Sequence, residues 1–125
     1  MKPSSELLSY FKDHEDQIQA FARILTTRGI ERGLIGPKEG DRIWERHIAN
    51  SIPVTTLIPQ GVRVVDIGSG AGLPGIVIAL ARPDLKVSLI EPLQRRVDFL
   101  NEVISELHLP VEVIKGQGRD SKKAV

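Results

Sequence analysis

Two carboxylates and a run of glycines are the residues here whose types and spacing could hold a small molecule. Asp66 closes an apolar stretch that includes Val62, Val64 and Val65, and Gly68, Gly70 and Gly72 alternate behind it around Ser69 and Ala71. Glycine admits φ > 0 and lets a ligand lie against bare backbone. Leu73, Pro74 and Gly75 follow, and Pro74 stands where the first turn of a helix would begin. Such a helix turns its free N–H groups and the positive end of its dipole toward whatever occupies the loop. A strand, a glycine loop and a helix start, in that order, make a cofactor site of the nucleotide type.

Two cofactors compete for this loop. A dinucleotide fingerprint, G-x-G-x-x-G, is met at Gly70, Gly72 and Gly75. It should follow the strand directly, with the pyrophosphate on the helix N-terminus. Here it starts two residues late and follows Asp66, whose carboxylate would repel a pyrophosphate. S-adenosylmethionine carries no phosphate; its ammonium and sulfonium groups suit an acid at the strand end. D-x-G-x-G-x-G therefore reads as a methyltransferase loop, with Asp66, Gly68, Ser69, Gly70 and Gly72 as cofactor residues. Glu91 ends the second strand about 20 residues further on, where a carboxylate accepts hydrogen bonds from the two ribose hydroxyls. That residue supports an adenosine ligand without choosing between the two, so a dinucleotide-dependent oxidoreductase stands as the alternative.

The elements that must position these residues follow from periodicity. From Ser5 to Thr27 the apolar residues Leu7, Leu8, Phe11, Ile18, Phe21, Ala22 and Leu25 form a stripe of helical period, with Gly29 as its C-cap. Pro37 opens a second helix that passes through Trp44 and His47 and stops before Pro53. Strands are expected at Val62 to Asp66, Lys86 to Ile90 and Val111 to Ile114, with helices at Leu73 to Ala81 and Leu93 to Leu107. Strands alternating with helices of this length form a parallel sheet. The expected architecture is a helical lead over residues 1–60 and the first half of an α/β domain over 61–125. Its class is the Rossmann-like, doubly wound parallel sheet of class I S-adenosylmethionine-dependent methyltransferases.

Composition narrows the rest. The chain has 125 residues, room for one domain that could bury roughly two thirds of its unfolded surface. Its 17 Lys and Arg nearly balance its 16 Asp and Glu, so no basic arm announces nucleic acid. With no Cys there is no disulfide, no thiolate zinc site and no cysteine nucleophile in this stretch, and no metal is called for. No apolar run reaches a membrane span and the N-terminus lacks the layout of a signal peptide, which points to a cytoplasmic protein without a membrane partner. His14 and His108 read as solvated, and Trp44 as core. Arg46 and Asn50 share one helical face, as do His47 and Ser51. That face is either simply solvated or meets substrate. Arg28, Arg32, Arg42 and Arg46 could touch phosphate, but interleaved acids favour an ordinary solvated face.

Four stretches carry a more specific resemblance. Trp44-Glu45-Arg46-His47-Ile48-Ala49-Asn50-Ser51, Asp66 through Ile76, Ala81-Arg82-Pro83-Asp84 and Arg95-Arg96-Val97-Asp98-Phe99-Leu100 are similar to the ribosomal RNA small subunit methyltransferase G family, also called glucose-inhibited division protein B. The resemblance covers about Ile30 to Ile114. It implies a bacterial enzyme that moves a methyl group from S-adenosylmethionine to guanine N7 of 16S rRNA. The implied partner is 16S rRNA or the small ribosomal subunit, and the full-length form is expected to be a monomer. It also implies cofactor contacts at Gly68 and Leu73, with Glu91 on the ribose. The helix with Arg46, His47 and Asn50 would then pack beside the cofactor loop and help bind RNA or shape the pocket.

That chemistry asks little of the side chains. Guanine N7 exposes a lone pair at neutral pH, so in-line positioning suffices and no general base is required. No catalytic residue is therefore assigned. Two departures from the family pattern stand out. Its Gly-Arg-Ala-Glu after the third strand is replaced by Gly116-Gln117-Gly118-Arg119, which puts Gly118 and Arg119 at the adenine positions. The chain also stops before the fourth strand, which in the doubly wound order lies beside the first. A C-terminally truncated member is the expectation, with the first strand left as an apolar edge. It would carry most of the cofactor site and little or no methylating activity. A non-catalytic fragment that only binds cofactor is the further alternative.

Overall fold

The computed structural model describes residues 2–118. Three parallel strands form its sheet: β1 (Arg63–Ile67), β2 (Lys86–Glu91) and β3 (Glu112–Lys115), in the order β1-β2-β3. Asp66 pairs in register with Leu89 and Ile67 with Ile90, while Glu91 pairs with Lys115. β2 is buried from Val87 to Glu91 because it lies between two strands and is covered on its faces. β1 has no strand on its other side among the described residues, and Ile67 is 55 % exposed, as expected for an edge.

Six α-helices surround the sheet. α1 (Ser5–Ser9), α2 (Glu15–Ile24), α3 (Pro37–Gly40) and α4 (Ala49–Leu57) precede it, α5 (Gly75–Ala81) links β1 to β2, and α6 (Gln94–Leu107) links β2 to β3. Phe11, Ile18, Phe21 and Leu25 from the lead, Ile76 and Leu80 from α5, Leu89 from β2 and Phe99, Leu100 and Val103 from α6 share one buried cluster. α2 packs on both α5 and α6, so the lead and the sheet have a common core.

The lead departs from the expected pair of helices in three places. Its first stripe breaks after α1, with Lys12 at φ +44°, because Phe11 turns into the core instead of continuing the helix face. Gly29 is not a C-cap. The chain widens into a π-helical segment, Leu25–Gly29, and continues until Gly33 at φ +71°. The Gly29 carbonyl accepts the N–H groups of Leu34 (2.7 Å) and Ile35 (3.2 Å), which folds the following turn back onto it. Pro53 does not stop the second helix, which runs on to Leu57. A second π-helical segment, Ile43–Ile48, precedes α4, and the change of register ahead of Pro53 is a place where a lost ladder bond is tolerated.

Charged side chains join elements that are distant in sequence. Arg28 pairs with Glu102 (3.3 Å) and Glu106 (2.5 Å), and Arg32 grips Glu102 at 2.6 and 2.8 Å. These two arginines are therefore not merely solvated; acids on α6 hold them, and their guanidinium groups keep both glutamates below the usual carboxylate range. His14 is half-buried and bonded to Gln17, while His108 is exposed in a left-handed C-cap of α6.

The Ala81-Arg82-Pro83-Asp84 stretch is a clamp. Arg82 donates to the carbonyls of Thr55 (2.7 Å) and Ile58 (2.9 Å), and both Nε and Nη2 lie 2.8 Å from the Asp84 carboxylate. Asp84 in turn accepts the Gly61 N–H at 2.9 Å. The end of α4, the turn into β1 and the turn into β2 are tied at one point. Arg82, followed by the Gly61 N–H, holds the Asp84 carboxyl far below the usual carboxylate range. A depressed acid contributes stability above the ordinary carboxyl range and loses it as pH falls below that range. We expect D84N to lower Tm at neutral pH, with the gap from wild type closing toward strongly acidic pH. R82K should also lower Tm, because an ammonium cannot reproduce the planar fork. Circular dichroism melts across pH check both.

Candidate cofactor site

Parallel register brings the C-terminal ends of β1 and β2 side by side, and the glycine loop starts there. The Gly68 N–H donates to the Ile90 carbonyl at 2.7 Å, and Ser69 N lies 3.3 Å from the same oxygen. The loop is thereby held over Glu91, which is 1 % exposed. Glu91 Oε1 accepts the Gly70 N–H at 2.8 Å and Oε2 accepts the Leu93 N–H at 2.9 Å. Its carbonyl accepts the Gly116 N–H at 3.1 Å, which ties in the chain leaving β3. Arg96 Nη1 stands 4.0 Å from Glu91 Oε1, and Arg96 Nε is buried without a hydrogen-bond partner. Each carboxylate oxygen retains a second lone pair beneath the loop.

Asp66 is half-buried beside this loop, and its Oδ2 accepts the Gly75 N–H at 3.0 Å. Burial pushes its carboxyl up; the bonds from Gly75 and Ser69 oppose the rise, and the Glu91 charge adds to it. Ser69 is 2 % exposed, and its hydroxyl donates to the Asp66 carbonyl at 2.8 Å, so it shapes the loop from within. The first N–H of α5 thus already has an acid partner, in the place a pyrophosphate would need.

The glycines fall into two groups. Gly68 and Gly70 take φ of +72° and +57° and face open space, with nothing nearer than 4.0 Å to an added Cβ. A side chain there would fill a cradle. At Gly72 a Cβ would lie 2.6 Å from Ile76 and 3.2 Å from Leu100, and at Gly75 it would lie 2.4 Å from Leu89 and 2.6 Å from Asp66 Oδ2. Close packing of α5 on the sheet demands those two. Leu73 is half-buried against the core, and Gly118 lies over Ile67, at the end of β1. Arg119 lies outside the described residues. An acidic cradle with two bare glycines fits a cationic, phosphate-free cofactor such as S-adenosylmethionine.

Arg46, His47 and Asn50 come together elsewhere. With Lys38 and Arg42 they line a groove of about 620 Å³, and no residue of the glycine loop lines it. His47 Nε2 stands 3.6 Å from Glu39 Oε1. Ser51 is buried and donates to the His47 carbonyl at 2.8 Å, which removes it from the polar face. The helix bearing these residues reaches the cofactor region through α4, which packs on α5. No cluster of His, Cys, Asp and Glu able to hold a metal occurs among the described residues, and no helix among them is long and apolar enough to cross a membrane.

The sequence model of GidB, rRNA small subunit methyltransferase G, matches residues 14–124. The chain belongs to this family. It is 59 % identical over 102 residues to ribosomal RNA small subunit methyltransferase G of Mycolicibacterium paratuberculosis, covering 82 % of this chain and 41 % of the relative. The protein of the same name from Corynebacterium jeikeium is 62 % identical, over 80 % of this chain and 45 % of the relative. That of Mycobacterium sp. strain JLS is 53 % identical over 94 % and 52 %. The chain therefore spans about half the length of the curated relatives it matches. Among solved structures, a precorrin-6y C5,15-methyltransferase from Geobacter metallireducens shares the fold at TM-score 0.52 and 16 % identity, covering 70 % of this chain and 45 % of that one. A Staphylococcus aureus protein assigned as a caffeoyl-CoA O-methyltransferase does so at TM-score 0.56 and 16 % identity, over 94 % and 54 %. The α/β class I methyltransferase fold expected from the sequence is the one observed.

Two features of this family member escaped sequence reasoning. The orphaned Nε of Arg96 beside Glu91 leaves no trace in spacing. Lys38 precedes Arg42, Arg46 and Asn50 at intervals of four, a signal that was legible. Substitutions at the loop should act differently on stability and on binding. A raised Asp66 carboxyl favours the protonated form in the fold, so its contribution is present below the ordinary Asp range and lost as pH rises through the raised value. D66N should therefore match or exceed the wild-type Tm at neutral pH while weakening cofactor binding, the two stabilities converging at acid pH. G75A should cost about 1–3 kcal/mol through overpacking, and G68A about 1–2 kcal/mol through its left-handed backbone. G68A should in addition weaken ligand binding by more than its stability loss predicts. Thermal melts and calorimetric titration of each variant separate the two effects.

Proposed function

We propose that this chain provides the cofactor half of an S-adenosylmethionine-dependent enzyme that methylates guanine N7 in bacterial 16S rRNA. The observation that carries the reading is the acid on the glycine loop. Asp66 already holds the first N–H of α5, and Glu91 lies buried beneath Gly70. Two carboxylates at the ends of adjacent strands favour a sulfonium and an ammonium over a pyrophosphate. Membership of the family supplies the substrate class, and the dinucleotide alternative has no comparable support.

In this reading Gly68 and Gly70 form the floor on which the cofactor lies, Ser69 and Gly72 hold the loop from within, and Asp66 faces the cationic methionine end. Glu91 accepts from the ribose hydroxyls through its remaining lone pairs. Leu73 contacts the cofactor, and Gly118 borders its adenine side. When bound, the cofactor supplies an electrophilic methyl on a sulfonium. The chain's own residues bind and orient; none has to remove a proton, because guanine N7 presents a free lone pair. Arg46, His47 and Asn50 belong to the RNA side. A cytoplasmic protein that works on the small ribosomal subunit follows from the same reading.

Calorimetric titration with S-adenosylhomocysteine, repeated in excess NADH, tests it. Saturable binding that NADH does not displace is the expected result. Displacement by NADH would revive the oxidoreductase, and a folded chain that binds neither would end the methyltransferase reading.

A further inference from the structure

We propose that the groove lined by Lys38, Arg42, Arg46 and Asn50 binds the phosphate backbone of RNA, with the Asn50 amide placed to meet a base edge. The inference rests on the methyltransferase reading for the identity of the polyanion, and on the charge pattern of the fold for its location.

The pattern lies in which cations are already engaged. Arg28 and Arg32 are held by Glu102 and Glu106, and Arg82 by Asp84 and two carbonyls. Arg95 donates to the Arg32 carbonyl at 2.9 Å, and Arg96 stands by Glu91. Arg42, Arg46 and Lys38 are exposed and make no ion pair and no side-chain hydrogen bond among the described residues, and all three line the same groove. Arginine side chains that serve packing find carboxylates or carbonyls; here two guanidinium groups and an ammonium converge on open space of about 620 Å³.

The acids of the groove do not cancel this charge. Glu39 is occupied locally: its Oε2 accepts the Gly36 N–H at 2.7 Å and its Oε1 lies 3.6 Å from His47 Nε2. Asp41 is the other carboxylate on the lining, against three cations. Guanidinium groups grip phosphate oxygens in a bidentate manner, and an amide both donates to and accepts from an unstacked base. Continuity with the cofactor region comes from α4, which carries Asn50 and packs on α5 directly behind the glycine loop. RNA laid in the groove thus lies beside the start of α4, which packs on the helix that follows the glycine loop.

The test is fluorescence anisotropy of the intact chain with a labelled single-stranded RNA oligonucleotide of small-subunit rRNA sequence, across a salt series. Exposed positions make R42Q/R46Q and K38Q safe for folding, which circular dichroism checks. R23Q serves as control, because Arg23 is equally exposed and unpaired but lies outside the groove. The double variant should bind about tenfold more weakly near 0.1 M salt, and the slope of log K against log salt should fall by about 0.7 for each cation removed. R23Q should bind as wild type. Wild-type affinity in the double variant, an equal loss in R23Q, or no RNA binding by the wild-type chain would overturn the proposal. Displacement of the RNA by millimolar inorganic phosphate would overturn the RNA assignment and leave a simple anion site. Titration with S-adenosylhomocysteine on the same samples keeps the two readings apart. RNA effects without cofactor binding would sink the methyltransferase reading alone, and cofactor binding without RNA effects would sink the groove alone.

Discussion

A buried carboxylate at the end of the central strand organises this three-stranded sheet. Glu91 is shut away from water, and an ionised group in that position is tolerable only where hydrogen bonds replace its hydration. The replacements come from two different elements, the Gly70 N–H of the loop after β1 and the Leu93 N–H at the start of α6. One side chain thus sets the height of the glycine loop and the entry of the following helix. The main chain of the same residue anchors the segment leaving β3. A cofactor site built around such a residue is held by the sheet itself.

Around that point the loop divides its labour between holding and yielding space. Gly72 and Gly75 are small because Ile76, Leu100 and Leu89 come too close for a Cβ. Gly68 and Gly70 are small over a void, and that void is where a ligand can touch backbone. Asp66 stands between the two groups. It is bonded to the head of α5 while carrying a burial cost that raises its carboxyl. An acid kept in place against its own desolvation fits a site made for a cation.

Charge in the helical lead follows a comparable division. Arg28, Arg32 and Arg82 are tied to acids or carbonyls far away in sequence, and they fasten the lead to α6 and to the turns around β1. Arg42 and Arg46 do no fastening. They lie in or beside the π-helical segment Ile43–Ile48, whose wide turns lead into α4. The Arg82-Pro83-Asp84 stretch, one of those that carry the family resemblance, holds three chain turns together.

Much of this was legible from the sequence alone. The alternation of apolar stretches with helical stripes determined a parallel sheet, and Asp66, the glycines and Glu91 marked a candidate cofactor loop at its edge, because period and strand-end chemistry are local properties. β1, β2, α5 and α6 fall within two residues of their expected bounds for that reason. The lead was read less well. Gly29 and Pro53 are terminators by local rule, yet both are absorbed into longer helical segments once packing against Ile35 and the wide turn before α4 outweigh local preference. Only the tertiary structure decided which glycines are bare for a ligand and which for a neighbour, which arginines are tied and which are free, and that both Glu91 oxygens already hold the backbone. Those outcomes depend on contacts such as Gly70 with Glu91 and Arg28 with Glu106, a proximity that folding creates and linear spacing does not encode.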